Sequence, residues 1–327
     1  MVLFRSVQPL VPELRGARGN TIPVVGRFAP SPTGHLHVGS LVAAMASWLD
    51  VRARRGRWLV RIEDLDGLRE IPGSADDILA TLSAYGFRWD GPIVRQSERD
   101  SFYREAFEQL RALGLVYPCG CTRREVAQVG LAPALLRDAP AAAMYPGTCR
   151  EGLPAGRVPR AWRMRVPDRV VSFRDRAAGL VTQNLARDVG DFVVRRADGP
   201  WAYQLAVVVD DGAQGVTDVV RGADLLDSTP RQRLLQEALG LMMPRTLHVP
   251  LVQDARGDKL TKQNGATPLS REQPLTALQG AARHLGLEIE GAVSVDSFWE
   301  RATDAWAARW SLYLAGETNL EGTDRGG

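Results

Sequence analysis

The chain has 327 residues, of which 45% are hydrophobic and 24% charged, and its formal net charge is +3. This composition excludes a disordered or collagen-like chain, and no apolar run reaches the roughly 20 residues that span a bilayer, so we expect no membrane partner. The length predicts about two domains. The small basic excess is only weak evidence for a polyanionic partner.

The cysteine content indicates a reducing compartment. An odd number of cysteines, three, without the apolar core and cleavage site of a signal peptide, argues against a disulfide scaffold and predicts a cytoplasmic protein. Residues 1–20 are interpreted as a short N-terminal extension.

The first structured segment, residues 21–115, is predicted to begin with a strand–loop–helix–strand unit. β-branched residues in the segment 20–28 predict a buried strand, and apolar residues at helical spacing over 41–49 predict a helix. The apolar segment 58–64 predicts a second strand. Such a unit begins a parallel sheet with a right-handed crossover, so the chain is predicted to be an α/β protein.

Capping residues place the ends of three further helices. Ser74 and Thr229 are predicted to be N-caps, because a hydroxyl can accept from an unpaired N–H of the first turn. Gly114 is predicted to end an amphipathic helix in the left-handed conformation.

The pattern changes at residues 116–186, which are predicted to form an insertion. Cysteines and an Ala/Pro-rich stretch replace the alternation of strands and helices, and only two short strands are predicted, near 161–166 and 170–173. The alternation of predicted strands and helices resumes in residues 187–245. Residues 246–327 are predicted to hold a lysine-containing loop and a short, mainly helical C-terminal region.

The loop RFAPSPTGHLHVGS, residues 27–40, separates the first strand from the first helix. A helix N-terminus after such a loop binds anions well, because its N–H groups are unpaired and point toward the loop. His37 could add a hydrogen bond to a phosphate, and Gly39 permits close approach of a nucleotide. Spacing alone favours an ordinary turn with an exposed histidine over an anion site, and His35 is interpreted as an exposed loop residue.

Four segments, in the same order, resemble the motifs of the class I glutamyl- and glutaminyl-tRNA synthetases. Residues 37–40 align with the HIGH element, with serine in place of its final histidine, and RIEDLD resembles the carboxylate motif of the second strand. WAYQLAVVVDD and VVRGADLL resemble substrate-pocket segments, and DKLTKQ resembles the KMSKS loop. The resemblance implies a Rossmann-like catalytic domain, with a parallel sheet covered by helices on both faces.

The resemblance implies a reaction that joins a glutamate carboxylate to the α-phosphate of ATP, which enters with Mg²⁺. Such a reaction needs no enzyme nucleophile, only alignment of the reactants and stabilisation of phosphate charge. His37 and Lys262 are the implied catalytic residues. The implied ATP-binding residues are His37, Gly39, Lys259 and Lys262.

Opposite charges should select the amino acid. Arg27 could hold a carboxylate through a bidentate fork, and Glu63 could meet the ammonium group. By resemblance, the glutamate-binding residues are Arg27, Phe28, Ala29, Pro30, Ser31, Glu63, Tyr203 and Arg221. Which arginine takes which glutamate carboxylate stays open.

A metal site is predicted from the cysteines. Cys119, Cys121 and Cys149 with Tyr145 offer three thiolates and one phenol, a closed set that suits one structural Zn²⁺ per chain. Spacing alone leaves three unliganded cysteines as an alternative. The assignment of Tyr145 rests on the same arrangement in a relative of glutamyl-tRNA synthetase.

The short stretch after the lysine-containing loop, residues 264–327, predicts that an anticodon-binding domain is missing. In this, and in its cysteine pattern, the chain resembles the glutamyl-queuosine tRNA(Asp) synthetase family. The resemblance implies activation of L-glutamate without tRNA, then transfer to queuosine in the anticodon of tRNA(Asp), with no role for DNA.

Three alternatives stay open. One is a short glutamyl-tRNA synthetase that charges the usual acceptor end, and another is a nucleotidyltransferase of the same superfamily acting on a different small acid. The third, a catalytically silent RNA-binding paralogue, is disfavoured because His37, Glu63, Arg221 and Lys262 are all intact.

Overall fold

The computed structural model describes residues 23–129, 144–253 and 267–316, and for 127–129 and 311–316 it describes the backbone alone. None of the described helices has the length and apolar character needed to cross a membrane.

A seven-stranded sheet forms the centre of the fold, in the order β3-β2-β1-β9-β10-β6-β7. Its strands are β1 (Val25–Phe28), β2 (Arg57–Ile62), β3 (Val94–Arg95), β6 (Val170–Asp175), β7 (Gly179–Asn184), β9 (Asp218–Gly222) and β10 (Arg245–Val249). All neighbouring pairs are parallel except β6 and β7, which form an antiparallel hairpin. A three-stranded antiparallel sheet holds β4 (Val116–Cys119), β5 (Ala161–Met164) and β8 (Val193–Arg195), in that order.

The helices connect and cover these strands. They are α1 (Val38–Arg52), α2 (Ser74–Ala84), α3 (Asp100–Ala112), α4 (Arg123–Val129), α5 (Leu185–Asp188), α6 (Tyr203–Ala213), α7 (Thr229–Leu239), α8 (Pro274–His284) and α9 (Val295–Gly316). Short 3₁₀ turns at Gln96–Glu98 and Ala223–Ser228 precede α3 and α7.

Alternation along the strands divides the sheet into two faces. Phe28, Val60 and Val220 pack in one apolar core with α1, α2, α8 and α9. The strand neighbours of these residues point to the opposite face, where α6 lies and where its Asp211 meets both Arg27 and Arg61. A second core lies among α3, α6 and α7. The face covered by α1 thus carries the larger apolar core, and the face covered by α6 carries the buried charges of Arg27, Arg61 and Asp211.

Two sequence-predicted caps are wrong. Ser74 is the first residue of α2, and its hydroxyl both accepts from the Gly34 N–H and donates to the Gly34 carbonyl, each at 2.9 Å. Thr229 is likewise inside α7, and its hydroxyl accepts from Arg221 at 2.8 Å. Both hydroxyls are used for tertiary contacts that local sequence does not reveal. Gly114 follows α3 with a φ of 68°, as predicted.

Each of the two sheets combines strands from the predicted insertion with strands from outside it. The β6–β7 hairpin falls within the predicted insertion, 116–186, yet β6 pairs with β10 and extends the main sheet. Conversely, β8 follows that range but joins β4 and β5 in the small sheet. The hairpin therefore places part of the predicted insertion at the edge of the main sheet, next to β10.

Asp50 fixes the hairpin turn and the C-terminal helix to α1. Its buried carboxylate accepts from Arg176 at 2.7 and 2.6 Å and from the Trp306 indole at 3.2 Å, and it also pairs with Arg54. Because Arg176 is itself buried, its charge depends on this partner.

Replacing Asp50 with alanine should lower the free energy of unfolding by about 3–5 kcal/mol, because it leaves buried guanidinium charge uncompensated. Urea denaturation would measure this loss. Asp304→Ala, an exposed position on α9, is the control and should change stability by less than about 0.5 kcal/mol. Equal unfolding free energies for the two variants would show that Asp50 does not hold these elements together.

Candidate active site

The loop before α1 has the geometry of an anion site. Gly34 has a φ of 121°, which an L side chain rarely adopts, so glycine is required there. His37 caps α1, and its Nδ1 accepts from the Gly39 N–H at 3.1 Å. This bond puts the proton of a neutral imidazole on Nε2. A helix N-terminus and an imidazole donor therefore lie together at the start of α1.

A cavity of about 340 Å³ opens at the carboxyl ends of β1, β2 and β9. It brings together seven of the eight residues predicted to bind glutamate, namely Arg27, Phe28, Ala29, Ser31, Glu63, Tyr203 and Arg221. Pro30 does not line it, but the Pro30 carbonyl accepts from the Glu63 N–H at 3.0 Å and so fixes the loop to the end of β2. Ala43 was missed, and Val220, Gly222 and Leu225 were not named singly within the predicted pocket segment VVRGADLL, because their apolar or backbone surfaces carry no chemical signal.

Arg27 is already paired within the protein. Its guanidinium donates to Asp211 at 3.1 and 3.3 Å, and Arg61 donates to the same carboxylate at 2.9 Å. Burial alone would raise the pKa of Asp211, but the two arginines bring it below its usual value. Asp211 was not predicted, although the two acids that end the apolar run of α6 were a visible signal.

Glu63 supplies a carboxylate to the same cavity. It accepts from Arg61 at 3.1 Å, and its side chain is 8% exposed. Burial raises the pKa of Glu63 above its usual value, and the charges of Arg61 and Arg27 oppose that rise. When ionised beside these arginines, the Glu63 carboxylate can also accept from a substrate ammonium group in the cavity.

Arg221 differs from Arg27, because its described partners are neutral. It donates to His248 Nε2 at 3.1 Å, to the Tyr203 hydroxyl at 3.4 Å and to the Thr229 hydroxyl at 2.8 Å. No carboxylate of the described ranges, 23–129, 144–253 and 267–316, forms an ion pair with it. Burial lowers the pKa of Arg221 below its usual value. A buried cation at a cavity wall favours an anionic ligand.

Other polar residues of the segments RFAPSPTGHLHVGS and RIEDLD lie outside the 340 Å³ cavity. Asp64 accepts from the backbone N–H and the hydroxyl of Ser97, each at 2.8 Å. Asp66 pairs with Arg69 at 2.7 Å and with Arg196 at 3.0 Å. His35 has a side chain that is 65% exposed and lies 2.7 Å from Asp77, in agreement with its interpretation as a loop residue.

The cysteines form one cluster with Tyr145, in which Cys121 is half-buried and the other residues are buried. The Sγ atoms of Cys119, Cys121 and Cys149 lie within 4.8 Å of one another. The Tyr145 hydroxyl is 3.4 Å from Cys119 Sγ and 3.7 Å from Cys121 Sγ. Arg163 donates to Cys119 Sγ at 3.3 Å and lies over the Tyr145 ring. Three sulfur donors and a phenol oxygen around one point fit a tetrahedral zinc ion, and the arginine would offset thiolate charge.

A larger, basic cavity of about 1080 Å³ lies between this cluster and Tyr203. Five arginines line it, namely Arg123, Arg124, Arg160, Arg163 and Arg196. Within the described part of the chain, the first three make no ion pair. These arginines were not predicted to belong to a site, although the pair at 123–124 follows Cys121 after one intervening residue. Lys259 and Lys262, predicted to contact ATP, lie outside the described residues.

Comparison with known proteins identifies the family. The sequence model for "tRNA synthetases class I (E and Q), catalytic domain" matches residues 23–277. A glutamyl-Q tRNA(Asp) synthetase of Burkholderia cenocepacia is 60% identical over 87% of this chain and 96% of its own length. One from Ralstonia nicotianae is 57% identical over 88% of this chain and 92% of its own length.

The fold agrees with that match. A crystal structure of a glutamate tRNA ligase from Elizabethkingia meningosepticum superposes with a TM-score of 0.68 at 24% identity, covering 92% of this chain and 74% of the other. The class I synthetase catalytic fold predicted from the motifs is confirmed. The chain therefore belongs to the class I tRNA synthetases of the E and Q group, a family of ligases, and within it to the glutamyl-Q tRNA(Asp) synthetases.

Proposed function

We propose that this protein activates L-glutamate with ATP in the absence of tRNA and then transfers the glutamyl group to queuosine in the anticodon of tRNA(Asp). The observation that carries the proposal is the cavity in which Glu63 faces Arg27 and Arg221. A carboxylate and two guanidinium groups match the one cationic and two anionic groups of glutamate. The names of relatives that are 55–61% identical support the choice of RNA acceptor.

In the first step, the glutamate α-carboxylate would attack the α-phosphate of ATP and release pyrophosphate. Glu63 would hold the ammonium group, and Arg27 and Arg221 would orient the carboxylates in line. His37 Nε2–H and the N-terminus of α1 would donate to phosphate oxygens, with Gly39 allowing close approach. Lys259 and Lys262 would add positive charge, by their resemblance to the family loop. Mg²⁺ enters with ATP and offsets triphosphate charge.

In the second step, a hydroxyl of the acceptor nucleoside would attack the glutamyl carbonyl and release AMP. The acceptor has to reach the mouth of the glutamate cavity, and Tyr203 lines both this cavity and the basic one. Three arginines without described ion pairs, Arg123, Arg124 and Arg160, would bind phosphates of the RNA along this approach.

The cysteine cluster would hold one structural Zn²⁺ through Cys119, Cys121, Tyr145 and Cys149. Four protein ligands leave no position for substrate, so the metal would stabilise the fold and take no part in catalysis. Cys119 ends β4, and the Tyr145 backbone bridges to Gly190 near β8. The ion would thus fix the small sheet that borders the basic cavity.

The transfer reaction is the direct test of the function. Purified protein should catalyse glutamate-dependent exchange of pyrophosphate into ATP without RNA, because every residue proposed to bind glutamate and ATP belongs to the protein. Radiolabelled glutamate should then appear on tRNA(Asp) that carries queuosine and not on queuosine-free tRNA(Asp) or on tRNA(Glu). Charging of tRNA(Glu) instead would identify a short glutamyl-tRNA synthetase, and activation of another acid in place of glutamate would refute the substrate assignment.

Metal analysis tests the cysteine cluster. The wild-type protein should contain about one zinc per chain by mass spectrometry, and Cys119→Ser should lose most of it, because a hydroxyl is a much weaker zinc ligand than a thiolate. Glu151→Gln, an exposed carboxylate two positions from Cys149, is the matched control and should keep its zinc. A Cys119→Ser protein with a full complement of zinc would refute the ligand assignment.

A further inference from the structure

His248 and Asp175 lie behind the cavity wall, and neither residue lines the cavity. His248 lies in β10 and is 3% exposed, and Asp175 ends β6 and is 0% exposed. The imidazole Nδ1 is 2.6 Å from Asp175 Oδ2, and its Nε2 is 3.1 Å from Arg221 Nε. The three side chains thus form a line from the β6–β7 hairpin to the cavity.

The chemistry of the partners fixes the tautomer of His248. A guanidinium can only donate, so Nε2 must accept from Arg221 and the ring proton must sit on Nδ1, where it is donated to Asp175. Asp175 is itself held by the backbone N–H groups of Ala177 and Ala178, each at 3.0 Å. Burial alone would raise the pKa of Asp175, but the bond from His248 and these N–H groups bring it below its usual value. The carboxylate therefore stays ionised and oriented.

The hydrogen bond from Arg221 to the neutral His248 leaves N–H groups of Arg221 available to a ligand. Its hydrogen bonds to His248, Tyr203 and Thr229 each start from a different guanidinium nitrogen. Of the five N–H groups of an arginine, one on each terminal nitrogen then remains for a ligand, so Arg221 keeps two donors for a carboxylate. Because His248 is neutral, it orients Arg221 without neutralising it. Arg27 differs, since Asp211 compensates its charge.

We propose that His248, oriented by Asp175, is a positioning residue that holds the Arg221 guanidinium in the orientation that binds a carboxylate of the amino acid substrate. This inference rests on the proposed function and adds a residue that does not touch the substrate. It also gives the β6–β7 hairpin, part of the predicted insertion, a role in substrate affinity.

Substitutions at His248 separate positioning from packing. His248→Phe keeps the ring and removes both hydrogen bonds. His248→Asn places its amide where Nδ1 lies, so it can still reach Asp175 but not Arg221. His248→Gln places an amide oxygen where Nε2 lies, so it can still accept from Arg221. His284→Phe is the control outside the site, because the His284 side chain hydrogen-bonds to the Pro250 carbonyl and lines neither cavity.

The measurements are the KM for glutamate, the KM for ATP and kcat in pyrophosphate exchange, with thermal unfolding as the check on folding. His248→Phe and His248→Asn should each raise the KM for glutamate about tenfold or more, as expected for loss of a hydrogen bond to a charged group. Their KM for ATP should stay unchanged. His248→Gln should restore the KM for glutamate to within about threefold of wild type, and His284→Phe should match wild type.

A folded His248→Phe or His248→Asn protein with a wild-type KM for glutamate would overturn the positioning role of His248 and leave the proposed function intact. So would a His248→Gln protein as impaired as His248→Asn, since the acceptor would then not matter. The pair of amide variants decides the question if His248→Phe does not fold. A wild-type protein with no glutamate-dependent exchange would overturn the proposed function, and this inference with it.

Discussion

Charged side chains are buried at the carboxyl ends of β1, β2 and β9, and their need for partners determines how the cavity is built. A charged group that leaves water is stable only if partners replace its hydration. Arg27 and Arg61 share Asp211, and Glu63 accepts from Arg61. Among the described charges at these strand ends, Arg221 is the exception, because its hydrogen-bond partners are neutral. The site is therefore electrostatically incomplete in one place, and that place faces the cavity.

The topology of the sheet brings these charges together. In the order β2-β1-β9-β10, the strands next to β1 come from opposite halves of the chain, which creates a crevice at their carboxyl ends. Side chains alternate between the two faces of the sheet along each strand, and this determines which residues reach the cavity. Phe28 and Val220 point to the apolar core, so the preceding Arg27 and the following Arg221 must point to the other face. The alternation that directs Phe28 and Val220 into the core thus directs Arg27 and Arg221 toward one cavity.

Local signals in the sequence were sufficient for much of this arrangement. The strand–loop–helix unit around Gly34, the end of α3 at Gly114 and the cysteine spacing each depend on nearby residues, and the structure shows all three. The resemblance to a family added the set of residues that line the cavity. The structure brings seven of those eight residues to one cavity, with Pro30 outside its lining.

Other features depend on contacts between distant parts of the chain. The partner of Arg27 is 184 positions away, and that of His248 is 73 positions away, so no local pattern predicts either pair. The wrong caps have the same cause, because tertiary contacts occupy the hydroxyls of Ser74 and Thr229. The hairpin of β6 and β7 could not be assigned to the main sheet, since its pairing with β10 is not encoded in either strand alone.

The claim that opposed buried charges select an acidic amino acid is tested most directly by comparing glutamate with glutamine. The two have nearly the same shape and differ in one carboxylate. In isothermal titration calorimetry, the wild-type protein should bind glutamate at least about tenfold more tightly than glutamine, because an amide cannot satisfy a buried guanidinium as a carboxylate does. Equal affinities for the two amino acids would contradict the account.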